Sequence, residues 1–275
     1  MSYALPIGFA LFLWWFATGL IFWLDQLPVR TFKWSVGAAS LVLAAALFAI
    51  GALSGDTSLT GVYASFTAGV LAWGWQELSL YTGFVTGPRK QSCEAGCSGW
   101  RHFGHAIGVN LWHEIAIIVV AVSIAALSWG AANQWGLYAY LLLWAMHLSA
   151  RLNVFLGVRN VSEDFVPAHM AVLKSFLTRK PMNLLFPVSV TAATIGSVLL
   201  FQEAISAPGE EDRAGWSLLA ALASLAVFEH WMLMLPLPVE KLWQWSLPQR
   251  RDAAKSRNSK PVHFDYTPLK TKLSP

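Results

Sequence analysis

Seven long apolar runs, separated by glycine, proline or charge, limit what this sequence can become. A membrane-spanning helix needs about 20 mainly apolar residues. The runs are Leu5–Leu24, Trp34–Leu53, Leu59–Phe84, His105–Trp129, Trp135–Leu156, Leu184–Phe201 and Trp216–Leu235. The words "SGD", "TGPRK" and "APGEED" punctuate the gaps. Composition agrees: the 275-residue chain is 56% hydrophobic and 12% charged, about half the charge of a soluble domain. The expected fold is an all-α, polytopic membrane helix bundle. "MSYALPIGF" has no basic stretch before its apolar run, which predicts a retained first span and not a cleaved signal.

Charge placement sets the orientation. Lysine and arginine concentrate on the cytoplasmic side of membrane proteins. With seven transmembrane helices and the N-terminus outside, every lysine and arginine except Arg213 falls on the inner side. Residues 1–247 are then the transmembrane domain, and 248–275 form a basic, flexible inner tail broken by Pro261 and Pro268. In the last inner loop, 163–180, Val166, Met170, Leu173 and Leu177 recur at helical spacing. This spacing predicts an interfacial amphipathic helix; a loop helix packed on the spans would show the same pattern. The basic excess is read as an orientation and lipid-bilayer signal, so no nucleic-acid partner is expected.

Ionisable groups inside spans are rare and point to function. Here they are Glu77 in the third span, His113 and Glu114 in the fourth, His147 and Arg151 in the fifth, and Glu229 and His230 in the seventh. Counted from the inner helix ends, all lie ~8–14 Å deep. Such a layer has three uses. Glu77, His113, Glu114, His147, Glu229 and His230 are the ligand types of a di-iron or manganese site, although the Glu-x-x-His spacing of soluble versions is absent. Alternatively His113, His147 and His230 could bind the central metal of a tetrapyrrole, with Trp112 and Trp144 beside the ring and Gly74, between Trp73 and Trp75, making room. Third, the groups could pair for packing: His147 and Arg151 share a helix face, and Arg151 can reach Glu114 or Glu77. The outer halves of these spans lack ionisable groups, which argues against a proton-relay transporter.

Other polar words sit near the inner face. Pro181 and Asn183 open the sixth span, a place suited to anion or carboxylate contacts. Pro236 and Pro238 stop the seventh. "GPRKQSCEAGCSGW" lacks the spacing of a nucleotide-binding loop. Cys93 and Cys97 alone do not make a zinc set. They read as reduced cytosolic thiols, with a redox or metal role as the alternative.

"GPRK", "GCSGWRHFGHAI", "WHEIAI", "HLSARLNVFLGV", "PMNLLFPVSVT" and "EHWMLMLPLP" occur in this order. Together they resemble the PuhE family, photosynthetic complex assembly protein 2 of purple phototrophic bacteria, from about Trp73 to Trp245. The resemblance implies a multi-pass protein of the bacterial inner (cytoplasmic or intracytoplasmic) membrane, in which the orientation set by charge makes the N-terminus periplasmic and the C-terminus cytoplasmic. It implies a protein encoded with reaction-centre genes and a role in photosynthesis, in assembling the reaction centre and its core antenna. The implied partners are reaction-centre and light-harvesting 1 subunits or pigment-synthesis proteins, and the implied ligand is bacteriochlorophyll or a precursor. It carries over no catalytic residues. The expected function is therefore a non-catalytic assembly factor. The alternative is a membrane-bound Glu/His oxygenase or oxidoreductase acting on a tetrapyrrole or isoprenoid pigment.

Overall fold

A computed structural model describes residues 3–94, 96–161, 166–235, 237, 239–243 and 245–246. Seven α-helices account for most of them: α1 (Ala4–Asp25), α2 (Phe32–Ala52), α3 (Leu59–Tyr81), α4 (Gly99–Leu127), α5 (Trp135–Leu156), α6 (Leu185–Ser206) and α7 (Glu210–Met232). Short 3-10 segments cover Val29–Thr31, Ala168–Phe176 and Val239–Trp243. Among the described residues there is no strand, only an isolated bridge between Val158 and Arg179.

Each expected span contains one of these helices, with shifted ends. Helix α7 begins at Glu210, before Trp216, because Glu210, Glu211 and Asp212 in its first turn complement the positive end of the helix dipole. Five helices are long and apolar enough to cross a membrane: α1, α2 with its preceding turn, α4, α5 and α6. This is a multi-pass membrane protein. The two less apolar helices, α3 and α7, are the most enclosed. Helix α3 packs against α1, α2, α4, α5 and α7, and α7 packs against α1, α3, α5 and α6. A helix shielded by its neighbours can carry Gln76, Glu77 and Ser79 without presenting them to lipid.

At one end the connections are short. Ser58 Oγ caps α3 by accepting from Gly61 N–H at 3.1 Å, and Asp56 accepts from Ser58 N–H at 2.9 Å. The Asp56 carboxyl is held below its ordinary range, chiefly by the hydrogen bonding of Ser58. Asn133, between α4 and α5, donates to the carbonyls of Asp56 and Gly61 at 2.8 and 3.1 Å and ties the two turns together. Just inside, α3 and α5 touch backbone to backbone: a Cβ on Gly69 would stand 2.3 Å from Gly136 O. Gly215 likewise makes room for the Trp135 indole. A dry cluster of Val62, Phe66, Ala139, Leu218 and Leu222 fills this half.

The other end is loop-rich. Asn183 closes α5 and opens α6: its Nδ2 donates to Asn153 and Gly157 carbonyls, and its Oδ1 accepts from Leu185 and Phe186 N–H. Its side chain thus fills the helix-end place that the sequence suggested for an anion. Of the segment 163–180, residues 163–165 lie outside the described residues. Ala168–Phe176 is a 3-10 stretch broken at Met170 (φ −105°, ψ 22°), not one continuous amphipathic α-helix. The physical reason is that Met170 and Phe176 are buried, which the spacing of a free surface helix does not provide for. After α7 the chain returns along α1. Trp243 packs on Trp14 and Phe22 and donates to the Trp15 carbonyl at 3.0 Å. Trp245 lies in the notch left by Gly19, where a Cβ would meet it at 2.2 Å. The tail 248–275 lies outside the described residues.

Candidate functional site

The loop after α3 positions the site. Gly87 lies flat on α4, where a Cβ would strike Gly108 O at 2.2 Å. Arg89 N–H donates to Gly108 O at 3.0 Å, and His113 N–H donates to Thr86 O at 2.9 Å. Loop and helix therefore share backbone hydrogen bonds up to His113, where an irregular chain is tolerated because it is buried against protein.

Beside it three helices bring ionisable groups together. His147 Nδ1 of α5 lies 3.1 Å from Glu77 Oε1 of α3. Arg151, one turn on, donates to Glu114 Oε1 of α4 at 2.6 Å and lies 3.3 Å from His147 Nε2. The Trp73 ring meets His147 edge-on at 5.2 Å. The His113 ring centre is 6.0 Å from that of His147, and His113 is fully buried with neither ring nitrogen hydrogen-bonded.

Glu77 and His147 also line a cavity of ≈ 220 Å³ between α1, α3, α5 and α7. Glu229 faces it from α7 and accepts from the Trp14 indole at 3.0 Å. Gly74 borders it with open space where a side chain would be. His230 turns elsewhere. Its Nδ1 donates to Ala226 O at 2.8 Å, which leaves Nε2 to accept from Ser149 Oγ at 2.9 Å.

A family model described as "Protein of unknown function (DUF3623)" matches residues 1–254. The chain belongs to the DUF3623 family. It is similar to the "Uncharacterized 30.4 kDa protein in puhA 5'region" of Rhodobacter capsulatus. The two are 36% identical over 250 residues, which is 90% of this chain and 91% of the relative. No solved structure matches.

The DUF3623 bundle thus brings Glu77, His113, Glu114 and His147 together, while Glu229 and His230 are engaged by Trp14 and Ser149. Ligand atoms of His113, Glu114 and His147 lie within 4.8 Å of one another. The positive charge among them is already supplied: the Arg151 guanidinium contacts both Glu114 and His147. An iron or manganese ion would have to displace it. Of the three histidines suited to a tetrapyrrole, His147 and His230 have both nitrogens in contact with neighbours, while His113 keeps both free. The adjoining cavity of ≈ 220 Å³ is smaller than the ~300 Å³ at which pockets for drug-sized ligands begin. Trp112 is 52% exposed on the outer face of α4. Trp144 packs on the core shared by α2, α3, α4 and α5.

Sequence reasoning finds the Arg151 pairing from its helical spacing. It misses the indole of Trp14 on Glu229, because 215 residues separate them. It also misses Ser149 and the Gly87–Gly108 contact. A glycine in "TGPRK" and another in "HAIGVN" are the only sequence signals of that contact.

Proposed function

We propose that this protein is a member of the PuhE group and a non-catalytic assembly factor for the photosynthetic reaction centre and its core antenna. In this reading it crosses the bacterial inner membrane seven times, with a periplasmic N-terminus and a cytoplasmic C-terminus. The observation that carries the proposal is the relative's position in the puhA 5' region, which agrees with the reaction-centre gene setting that the PuhE resemblance implies. The site geometry supports it as well. Glu77, His147, Arg151 and Glu114 are turned on one another, with Arg151 as their cation, and the cavity is small. Client helices, or bacteriochlorophyll held during assembly, would meet the bundle on its outer faces.

The convergence of His113, Glu114 and His147 within 4.8 Å is what favours the second reading, a metal-dependent oxidoreductase acting on pigment. Deleting the gene from a phototrophic host separates the two. An assembly factor predicts loss of reaction-centre and core-antenna absorbance with no build-up of a pigment precursor. Accumulation of one precursor, relieved by feeding the next compound, would sink the assembly reading.

A further inference from the structure

A second group of metal-ligating side chains lies outside the cavity, where the loop after α3 enters α4. Cys93 and Cys97 come from the loop, and His102 and His105 from the first turns of α4. Cys93 Sγ and Cys97 Sγ lie 3.3 and 3.4 Å from His105 Nδ1. His102 Nδ1 lies 3.1 Å from Cys93 Sγ. Ligand atoms of Cys93, Cys97 and His102 all fall within 4.8 Å of one another. Cys93, Cys97 and His102 thus form a three-donor set, and His105, the last residue of this thirteen-residue stretch, lies against both sulfurs.

The local chain is built for this. Gly96 and Gly99 adopt positive φ of 80° and 60°, a backbone that side-chain-bearing residues rarely take, and so fold Cys97 back over the helix start. His102 and His105 are three apart on α4 and share a face. Arg89 holds the approaching loop by donating to the carbonyls of Gln91 and Ser92, each at 3.1 Å. Outside the cluster His102 is stacked between Phe155 of α5 and Phe176, with ring centres 5.2 Å away on each side. Cys93 N–H donates to Ser175 Oγ at 3.3 Å. The ligands are thus held by the ends of α4 and α5 and by the Ala168–Phe176 stretch.

Magnitudes favour a metal over a set of thiol hydrogen bonds. Thiols are weak donors and weak acceptors, so hydrogen bonding gives little reason for two of them to crowd one imidazole nitrogen. A tetrahedral zinc, with bonds of about 2.3 Å to sulfur and 2.0–2.1 Å to nitrogen, holds S and N about 3.6 Å apart. The observed separations of 3.1, 3.3 and 3.4 Å are within a few tenths of an ångström of that. Two thiolates and two imidazoles around one ion would fill four positions, which is the pattern of a structural zinc site and would leave none open for catalysis.

We propose that Cys93, Cys97, His102 and His105 form a closed, structural metal site of the zinc class. The ion fastens the α3–α4 loop to the start of α4. Because that loop carries Thr86, Gly87 and Arg89 onto α4 as far as His113, the ion also steadies the approach to the interior cluster. Through the Phe155–His102–Phe176 stack it joins α4 to α5 and to the loop before α6.

The test is elemental analysis of the full-length protein purified in mild detergent without chelators. About one zinc per chain is expected, and it should be lost in the Cys93→Ser/Cys97→Ser double variant. Growth with cobalt should give the absorption of a tetrahedral, thiolate-ligated ion, and His105→Gln should shift or abolish it. Because a variant can fail to fold, a second measurement uses the unmodified protein: thiol alkylation should release zinc to a colorimetric chelator in step with loss of both thiols. The proposal is overturned by a metal-free protein with freely reacting thiols. It is also overturned by a Cys93–Cys97 disulfide, or by zinc that survives in the double variant.

Discussion

At the end where α2 meets α3 and α4 meets α5, the connections 53–58, 128–134 and 207–209 are short. Asn133 and Ser58 satisfy their backbone groups, and the helices behind them close by glycine contact and apolar packing. At the opposite end the connections 82–98 and 157–184 are long, and they carry the Cys/His group, the Met170 break and the caps made by Asn183. The interior cluster lies on this side, next to the loop that reaches His113. Packing in the first half depends on what glycine leaves out. Order in the second depends on charges, hydrogen bonds and a proposed ion that side chains bring in. Mutations should therefore act by different rules in the two halves.

The largest effect is expected in the packed half. Gly69→Leu puts a side chain where Gly136 O already stands, so α3 and α5 must separate. Overpacking commonly costs 1–3 kcal/mol; a clash with backbone should reach about 3 kcal/mol or more. The expected outcome is a large fall in melting temperature in detergent, and an unchanged value would break the first half of the comparison.

In the loop-rich half, Arg151→Met leaves Glu114 and Glu77 without their cation. Removing one partner of a buried ion pair costs 3–5 kcal/mol. The two side chains are each 29% exposed and so not fully buried, and a loss of about 2–3 kcal/mol is expected. Adding Glu114→Gln should recover at least half of it. A strictly additive double variant would show that the two residues do not act as a pair.

A smaller effect of opposite sign is expected at His113. Its ring is buried with both nitrogens unpartnered, and an unsatisfied buried polar group costs ~1–3 kcal/mol. His113→Leu should raise stability by about 1 kcal/mol; a loss would mean that the imidazole makes a contact in the membrane that the packing does not show. Smallest of all is Trp112→Leu on the outer face of α4, expected to stay within about 0.5 kcal/mol of the parent in thermal unfolding.

The contrast also explains what could be read from the sequence. The helices are legible because apolar runs of helix length mark them, five of them long and apolar enough to cross a membrane, where backbone bonds must be closed internally. Their ends are less so: α7 starts in a charged turn that hydropathy scores as loop. That Arg151 pairs with a carboxylate is legible because a buried cation needs one, but the choice of Glu114 over Glu77 is set by the packing. The 163–180 segment has helical spacing, but Met170 and Phe176 are drawn into the bundle, and that packing is not local. The Cys/His group is hidden for a related reason. Counting cysteines gives two donors, and the others are histidines that meet them only once Gly96 and Gly99 turn the chain back. Trp14 and Trp243 depend on contacts between the two ends of the chain, which no local pattern encodes.

The central claim is that the interior cluster is a charge-paired network with Arg151 as its cation, and that the bundle works by holding partners. Iron and manganese content of the Cys93→Ser/Cys97→Ser variant tests this most directly, because any metal retained there must sit elsewhere than the Cys/His group. The account predicts less than about a tenth of an ion per chain, unchanged by His147→Ala. One or two iron or manganese ions per chain, lost with His147→Ala, would contradict it.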